Sequence, residues 1–263
     1  MSATISSINY CPVKSVSFQT INTCKIKKNI GIVGDRIFAF AKDLDLSNAQ
    51  LFEKNPEERK GKWNKVLTLK NSPVLNKYNF LFNENKLTLT FDHKKILTID
   101  VNELSGRQLL SNKIIKLENS LKEPIALMKN EEFPFFDTSI SNKVDFINSV
   151  SLINIQSVND FQKKINEKVE ISRFRGNMCI DGIKPWEERE WIGKTIKINN
   201  ISFKVEKNIP RCVAINLKPN TDDNSLNLLQ SLKKTYNHFE MGIYLTALDD
   251  GQINLGDKVE III

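Results

Sequence analysis

The chain has 263 residues, 40% of them hydrophobic and 26% charged, so it is long enough for a substantial core in one large or two smaller domains. Its net charge is +7, but no run of Lys or Arg exceeds two residues, which argues against nucleic-acid binding. Apolar runs are far shorter than the roughly 18 residues that span a membrane, and the first residues lack signal-peptide features, so we expect a cytoplasmic protein.

The first part of the chain predicts a β-rich, mostly antiparallel unit. Two alternating stretches flank Asn83-Glu84-Asn85, which is a hairpin signature. The polar stretch 44–62, with Pro56, is predicted to be a loop. The remaining predictions are strands at 4–10, 17–27, 37–41, 63–70, 78–82, 86–91 and 94–101, and a short helix at 103–113.

The pattern of apolar residues predicts no clear element over 120–148, and strands dominate again after it. A helix is predicted after Ser157, interpreted as its N-cap, and a second around Leu226, Leu229 and Leu232. The predicted strands are 149–154, 171–180, 195–199, 201–206, 213–217, 242–248 and 258–263. We therefore predict a mainly β (α+β) protein with domains at 1–118 and 119–263.

A cluster of arginines suggests an anion site. In an extended strand over 171–180, Arg173, Arg175 and Asn177 project from one face. Two guanidiniums and an amide suit a phosphate or another oxyanion. Four of the seven arginines lie between 173 and 211, although lysine supplies most of the positive charge elsewhere. The alternative interpretation is a solvated strand face.

Cys212 is the candidate for chemistry. The four cysteines contain no Cys-x-x-Cys pair and the chain has two histidines, which disfavours a zinc or iron–sulfur site. A lone cysteine is usually a small buried hydrophobe, but the guanidinium of Arg211 would stabilise a thiolate here. Such a thiolate would be a nucleophile or a ligand to a soft transition metal.

Three further residues are ambiguous from the sequence alone. Lys14 and Arg36 stand at strand ends of the first unit, and each alone is best interpreted as a surface charge. Asp137 follows three nearby phenylalanines and is a loop cap or a polar anchor, with the cap favoured.

The order and spacing of several short pieces resemble the MOSC-domain family, the C-terminal module of molybdenum cofactor sulfurase. These pieces include Pro12-Val13-Lys14-Ser15, Gly34-Asp35-Arg36, Ser151-Leu152-Ile153-Asn154, Arg173-Phe174-Arg175-x-Asn177, Pro185-Trp186, Arg211-Cys212 and Gly242-Ile243-Tyr244. The set looks most like bacterial stand-alone members and more distantly like the mitochondrial amidoxime-reducing component. The resemblance implies an N-terminal β-barrel-like domain packed on a β-rich MOSC barrel with a few short helices.

The resemblance also implies a molybdenum cofactor (molybdopterin) site. Cys212 would be the protein ligand to molybdenum. The expected cofactor-binding residues, which would hold the pterin phosphate and its neighbours, are Lys14, Arg36, Arg173, Arg175, Asn177 and Arg211. Asp137-Thr138 would match an Asp-Thr near the metal. This sequence departs from the family at Cys11, where tyrosine is usual, and at Gly176, where proline is common.

The activity implied is two-electron reduction of the N–O bond of a small N-hydroxylated substrate. Because the sequence ends at Ile263, soon after the MOSC strands, the expected electron source is a separate donor protein. Two alternatives stay open. One is a sulfur carrier with a persulfide on Cys212, since related modules sit beside pyridoxal-phosphate cysteine desulfurases, and the other is a non-catalytic cofactor-binding protein.

Overall fold

The computed structural model describes residues 3–59, 61–122, 124–136 and 149–262, and it confirms a mainly β fold. Its strands, β1 to β16, are Ala3–Tyr10, Gln19–Ile21, Thr23–Lys27, Gly31–Ile32, Phe38–Lys42, Tyr78–Asn83, Lys86–Phe91, Lys94–Asp100, Ile125–Lys129, Val150–Asn154, Met178–Asp181, Thr195–Ile198, Ile201–Pro210, Glu240–Ala247, Gly251–Asn254 and Lys258–Ile262. Its helices, α1 to α4, are Leu46–Lys54, Leu104–Leu117, Ile155–Ile165 and Leu228–Tyr236. Within these residues, no helix is long and apolar enough to cross a membrane.

A closed barrel forms the centre of the second half. Its strands follow one another in the order β11, β10, β14, β13, β12, β16 and β1, and the pairing of β1 with β11 closes the ring. Along β12 the buried residues alternate, with Ile196 and Ile198 facing the core. A closed barrel leaves no unpaired strand edge among its members.

The first strand of the chain belongs to this barrel. In β1, Ile5 pairs with Ile180 and Thr4 pairs with Lys258, although the other barrel strands come from residues 150–262. The division at 118/119 stays a prediction, but the strand that opens the chain packs with the second half. Residues 11–16 therefore leave the barrel beside β11, and this places them at the site described below.

The rest of the first half has its own sheets and core. The predicted hairpin is confirmed as β6 and β7, which continue into β8, and β5 pairs with β9. The predicted helix near 103–113 is confirmed as α2. The loop predicted over 44–62 is wrong, because α1 forms there with Asp45 accepting the Asn48 N–H as its N-cap. Only Ala49 and Phe52 of α1 are buried, so its apolar stripe is short.

Several segments around the arginine and cysteine motifs are not the strands that we predicted. Short 3-10 turns form at Trp63–Lys65, Ile171–Phe174 and Val213–Asn216 in place of strands at 63–70, at the start of 171–180 and at 213–217. In the second turn, Arg173 bonds back to Glu170, so local side-chain contacts outcompete the extended conformation.

The start of α3 also differs from the prediction. Asn154, and not Ser157, is the N-cap, because its side chain accepts the Gln156 N–H. The Ser157 hydroxyl instead bonds to the buried Glu188 carboxyl at 2.8 Å.

Candidate functional site

A cavity of about 370 Å³ lies where the two halves of the chain meet. This volume is within the usual range for small-molecule sites. The walls come from residues 14–15, 36, 63–64 and 68–71 of the first half and from 136, 149, 151, 173–175, 209–212, 214–215 and 244 of the second. The cationic side chains and the thiol that line it are those of Lys14, Arg36, Lys70, Arg173, Arg175, Arg211 and Cys212.

The sulfur of this cavity is that of Cys212. Cys212 lies two residues after Pro210, the last residue of β13, which pairs with Glu240, and it is the N-cap of the 3-10 turn Val213–Asn216. Cys212 is partly exposed, whereas the other three cysteines of the chain are buried. Burial raises the pKa of the Cys24 thiol to about 12, and burial also raises the pKa of Cys179. Cys212 is therefore the cysteine that a ligand can reach.

Arg211 holds this cysteine in place through backbone contacts. Its Nε donates to the carbonyl of Met241 at 2.8 Å and its Nη1 donates to the carbonyl of Phe174 at 2.7 Å. The guanidinium thus ties the Cys212 segment to β14 and to the turn that carries the other arginines. Cofactor binding by Arg211 stays a prediction, and the bonds that the structure shows are positioning bonds.

A buried carboxylate organises Arg36 and Asn177. Asp35 is 1% exposed, pairs with the Arg36 guanidinium and accepts the Asn177 Nδ2–H at 2.9 Å. Asn177 Oδ1 also accepts from the Ser151 hydroxyl at 2.8 Å. Asn177 lies behind the wall, so it orients Arg36 and Ser151, both of which line the cavity.

Two arginines from distant parts of the chain share one aromatic ring. The guanidinium carbons of Arg36 and Arg175 lie 4.9 Å and 4.6 Å from the centre of the Phe18 ring. Arg175 Nη1 also donates to the Val16 carbonyl at 3.0 Å. Burial lowers the pKa of Arg175, and the nearby positive charge of Arg36 acts in the same direction. An anion placed between them would relieve this repulsion.

Lys14 and Arg173 complete the cationic wall. Lys14 Nζ donates to the Phe136 carbonyl at 3.1 Å and lies 5.3 Å from the centre of the Trp63 ring. Arg173 is 4% exposed, pairs with Glu170 at 2.6 Å and donates to the Asn216 carbonyl at 2.7 Å. The solvated-face alternative is therefore wrong for Arg173, because its side chain is buried and bonded.

The structure brings Lys14, Arg36, Arg173, Arg175, Arg211 and Cys212 to one cavity, with Asn177 directly behind it. Asp137 and Thr138 lie outside the described residues. The sequence analysis did not name Asp35 as a site residue. The Gly34-Asp35-Arg36 piece could have indicated it, because a buried arginine needs a charged partner and Asp35 is next to Arg36. The part of the wall formed by residues 63–64 and 68–71 was also missed, because the sequence carries no comparable signal for it.

Comparison with known proteins finds similarity in the second half of the chain. The MOSC domain family matches residues 146–260. The chain is 26% identical over 159 residues to the mitochondrial amidoxime reducing component 2 of Bos taurus, which covers 56% of this chain and 46% of that protein. It is 30% identical over 122 residues to the molybdenum cofactor sulfurase of Drosophila willistoni, which covers 44% of this chain and 15% of that protein.

Among solved structures, the YuaD protein from Bacillus subtilis aligns with 99% of this chain and 96% of its own, with a TM-score of 0.44 and 10% sequence identity. The chain spans less than half the length of the two curated relatives named above. The family match falls on the closed barrel and includes Arg173, Arg175 and Cys212. Residues 146–260 therefore match the MOSC domain family, as the resemblance in the sequence implies.

Proposed function

We propose that this protein binds the molybdenum cofactor in the cavity and reduces N-hydroxylated compounds with it. The observation that carries the proposal is the meeting of one reachable thiol, Cys212, with a wall of cations drawn from both halves of the chain. The names of the relatives, an amidoxime reducing component and a molybdenum cofactor sulfurase, point to the same cofactor.

The chemistry of the lining suits such a group. A thiolate is a good ligand for a soft transition metal, and planar guanidiniums pair with phosphate oxygens through two parallel bonds. None of the described lining residues is an Asp or Glu, so no carboxylate on the wall repels an anionic pterin. Asp35, one layer behind, keeps Arg36 oriented while leaving the cavity face positive.

In the proposed roles, Cys212 ligates the metal, and Lys14, Arg36, Arg173 and Arg175 hold the phosphate end. Arg211 keeps the Cys212 backbone in register with β14. The aromatic rings of Trp63 and Phe136, which lie beside Lys14 and Arg36, would exclude water from part of the cavity.

The proposed reaction breaks the N–O bond of a hydroxylamine, amidoxime or N-hydroxylated base. Two electrons and two protons are taken up, the oxygen leaves as water, and the amine or amidine is released. The cofactor, when bound, supplies the redox chemistry, while the protein binds, orients and shields the reactants. A separate electron-transfer protein supplies the electrons in this proposal.

Metal and phosphorus analysis tests the proposal. The wild type, Cys212→Ser and Cys24→Ser are purified from a host that makes the cofactor. Cys24 is a matched control because its thiol is buried in β3 and faces the Ile253 carbonyl, away from the cavity lining. We expect near-equimolar molybdenum in the wild type and the control and at least about tenfold less in Cys212→Ser.

Benzamidoxime reduction with a chemical electron donor should follow the molybdenum content of these three proteins. Molybdenum-free wild type, or equal metal in the Cys212→Ser protein, would count against the proposal. Pterin with molybdenum but no reduction of any N-hydroxylated compound would instead support a non-catalytic binding protein.

A second candidate is sulfur transfer, because a relative 30% identical over 122 residues is named a molybdenum cofactor sulfurase. In that case Cys212, the partly exposed cysteine, would carry a persulfide. Cyanolysis separates the two candidates. One labile sulfur per chain that is lost in Cys212→Ser, with no bound pterin, supports sulfur transfer over reduction.

A further inference from the structure

Lys70 differs from the other cations of the cavity. Lys14, Arg36, Arg173, Arg175 and Arg211 all donate to carbonyl or carboxylate oxygens of the protein. Lys70 lines the same cavity, is exposed, and makes no hydrogen bond or ion pair to any residue that the structure describes. Its ammonium is therefore available to a ligand.

The backbone beneath Lys70 is fixed even though its side chain is not. The Asn71 and Ser72 N–H groups both donate to the Thr68 carbonyl, at 3.1 Å and 2.7 Å, and Asn71 Oδ1 accepts the Thr68 N–H at 2.7 Å. Leu69 anchors the turn in the interior, since it is 8% exposed. A closed turn of this kind holds Lys70 at the rim without a cost of ordering the backbone when a ligand binds.

The lining of the cavity that Lys70 shares suits a flat molecule with a negative group. Trp63 and Phe136 give the cavity aromatic surface, and Asn64 and Asn71 add amides near the turn. None of the described lining side chains is acidic, so nothing on the wall would repel a substrate anion. The partnered cations serve the cofactor in the proposed function, which leaves Lys70 for the substrate.

We propose that the cavity prefers N-hydroxylated substrates that carry a carboxylate or a similar anion on a planar ring, and that Lys70 binds this anion. This inference rests on the proposed function, since it assigns a substrate class to the same cavity. Lys70 is then a specificity-determining residue that contacts the substrate at a distance from the Cys212 thiol.

The test uses two probes that differ in one group, benzamidoxime and 4-carboxybenzamidoxime. Reduction is measured with the holoenzyme of the wild type, Lys70→Gln and Lys70→Glu, and binding of each probe is measured by calorimetry. Lys65→Gln is the matched control, because Lys65 lies in the same segment and does not line the cavity. Molybdenum content is recorded for every variant.

We expect the wild type and Lys65→Gln to favour the carboxylated probe by about fivefold in kcat/KM and in affinity, as for an exposed ion pair. The preference should vanish in Lys70→Gln, reverse in Lys70→Glu, and shrink as salt is raised. An unchanged preference in Lys70→Gln, or equal use of both probes by the wild type, overturns the inference. Loss of molybdenum in Lys70→Gln also overturns it, because Lys70 would then hold the cofactor. If the wild type reduces neither probe, the proposed function fails, and the binding measurement alone still decides whether Lys70 selects the anion.

Discussion

Replacing Gly242 with alanine should disturb the site more than an ordinary glycine substitution would. Gly242 lies in β14 with φ +77°, a left-handed conformation that costs an L-residue about 1–2 kcal/mol. A Cβ there would lie 2.4 Å from the Leu152 carbonyl oxygen and 2.5 Å from Ile153 Cδ1. Because the first of these is backbone, relief requires β10 or β14 to move, which adds about 1–3 kcal/mol. We expect Gly242→Ala to destabilise the fold by about 3 kcal/mol in total.

Gly256→Ala separates the two contributions. Gly256 has φ +87°, but among the described residues, apart from Gly256 and its two chain neighbours, no atom lies within 4 Å of the position that its Cβ would take. Urea unfolding of both variants should therefore show a cost of about 1–2 kcal/mol for Gly256→Ala and clearly more for Gly242→Ala. Gly242 also lies beside Arg211, whose Nη2 would be 3.4 Å from the new Cβ, so cofactor retention should fall in Gly242→Ala alone. Equal destabilisation by the two substitutions would refute the steric argument.

Two further predictions concern the buried Glu188 carboxyl and the Arg211 guanidinium next to Cys212. Burial raises the pKa of the Glu188 carboxyl, so its charged form opposes folding, and stability should fall as pH rises from about 4.5, the unfolded value. Glu188→Gln should remove the part of this loss of stability that Glu188 causes, and thermal unfolding of both proteins between pH 4 and 8 measures it. Identical pH profiles of the wild type and the variant would contradict the prediction. Arg211→Lys should cost about 2–3 kcal/mol and lower molybdenum content, because an ammonium cannot reproduce the fork that reaches both the Met241 and Phe174 carbonyls. Full stability and full metal content in Arg211→Lys would show that the fork has no positioning role.

The sequence predicts the members of the site better than their local structure. Arg173, Arg175 and Asn177 do converge with Cys212, but not because a strand alternates through them. Arg175 has a left-handed φ of +50° at the end of a 3-10 turn, and β11 begins only at Met178. The spacing of two residues suggested a strand, whereas the turn is stabilised by the local pair of Arg173 with Glu170 and by a long-range bond from Arg173 to the Asn216 carbonyl, which the spacing does not encode.

Other features depend on contacts between residues far apart in the chain. Lys14 and Arg36 have no signal of their own. Each looks like a surface charge until its partners are placed beside it, Phe136 and Trp63 for Lys14 and Asp35 and Phe18 for Arg36. The hairpin of β6 and β7 and the helix α2 were predictable because their signals are local. Helix α1 was missed because its buried stripe is limited to two residues, too few for a clear helical period.

Closure of the barrel and assembly of the site depend on the same contacts. The Asn9 N–H donates to the Asn177 carbonyl at 2.6 Å, and the Asn9 side chain donates to the Gly176 carbonyl at 2.9 Å, where β1 meets β11. Only a few residues further on, Arg175 reaches the Val16 carbonyl, and Asn177 reaches Asp35. A barrel that failed to close at β1 would therefore separate Arg36 from Arg175 and leave Asp35 without Asn177. Since these partners lie more than 140 residues apart in sequence, the cationic wall exists only in the folded barrel. An anion that binds this wall therefore stabilises the closed barrel by linkage.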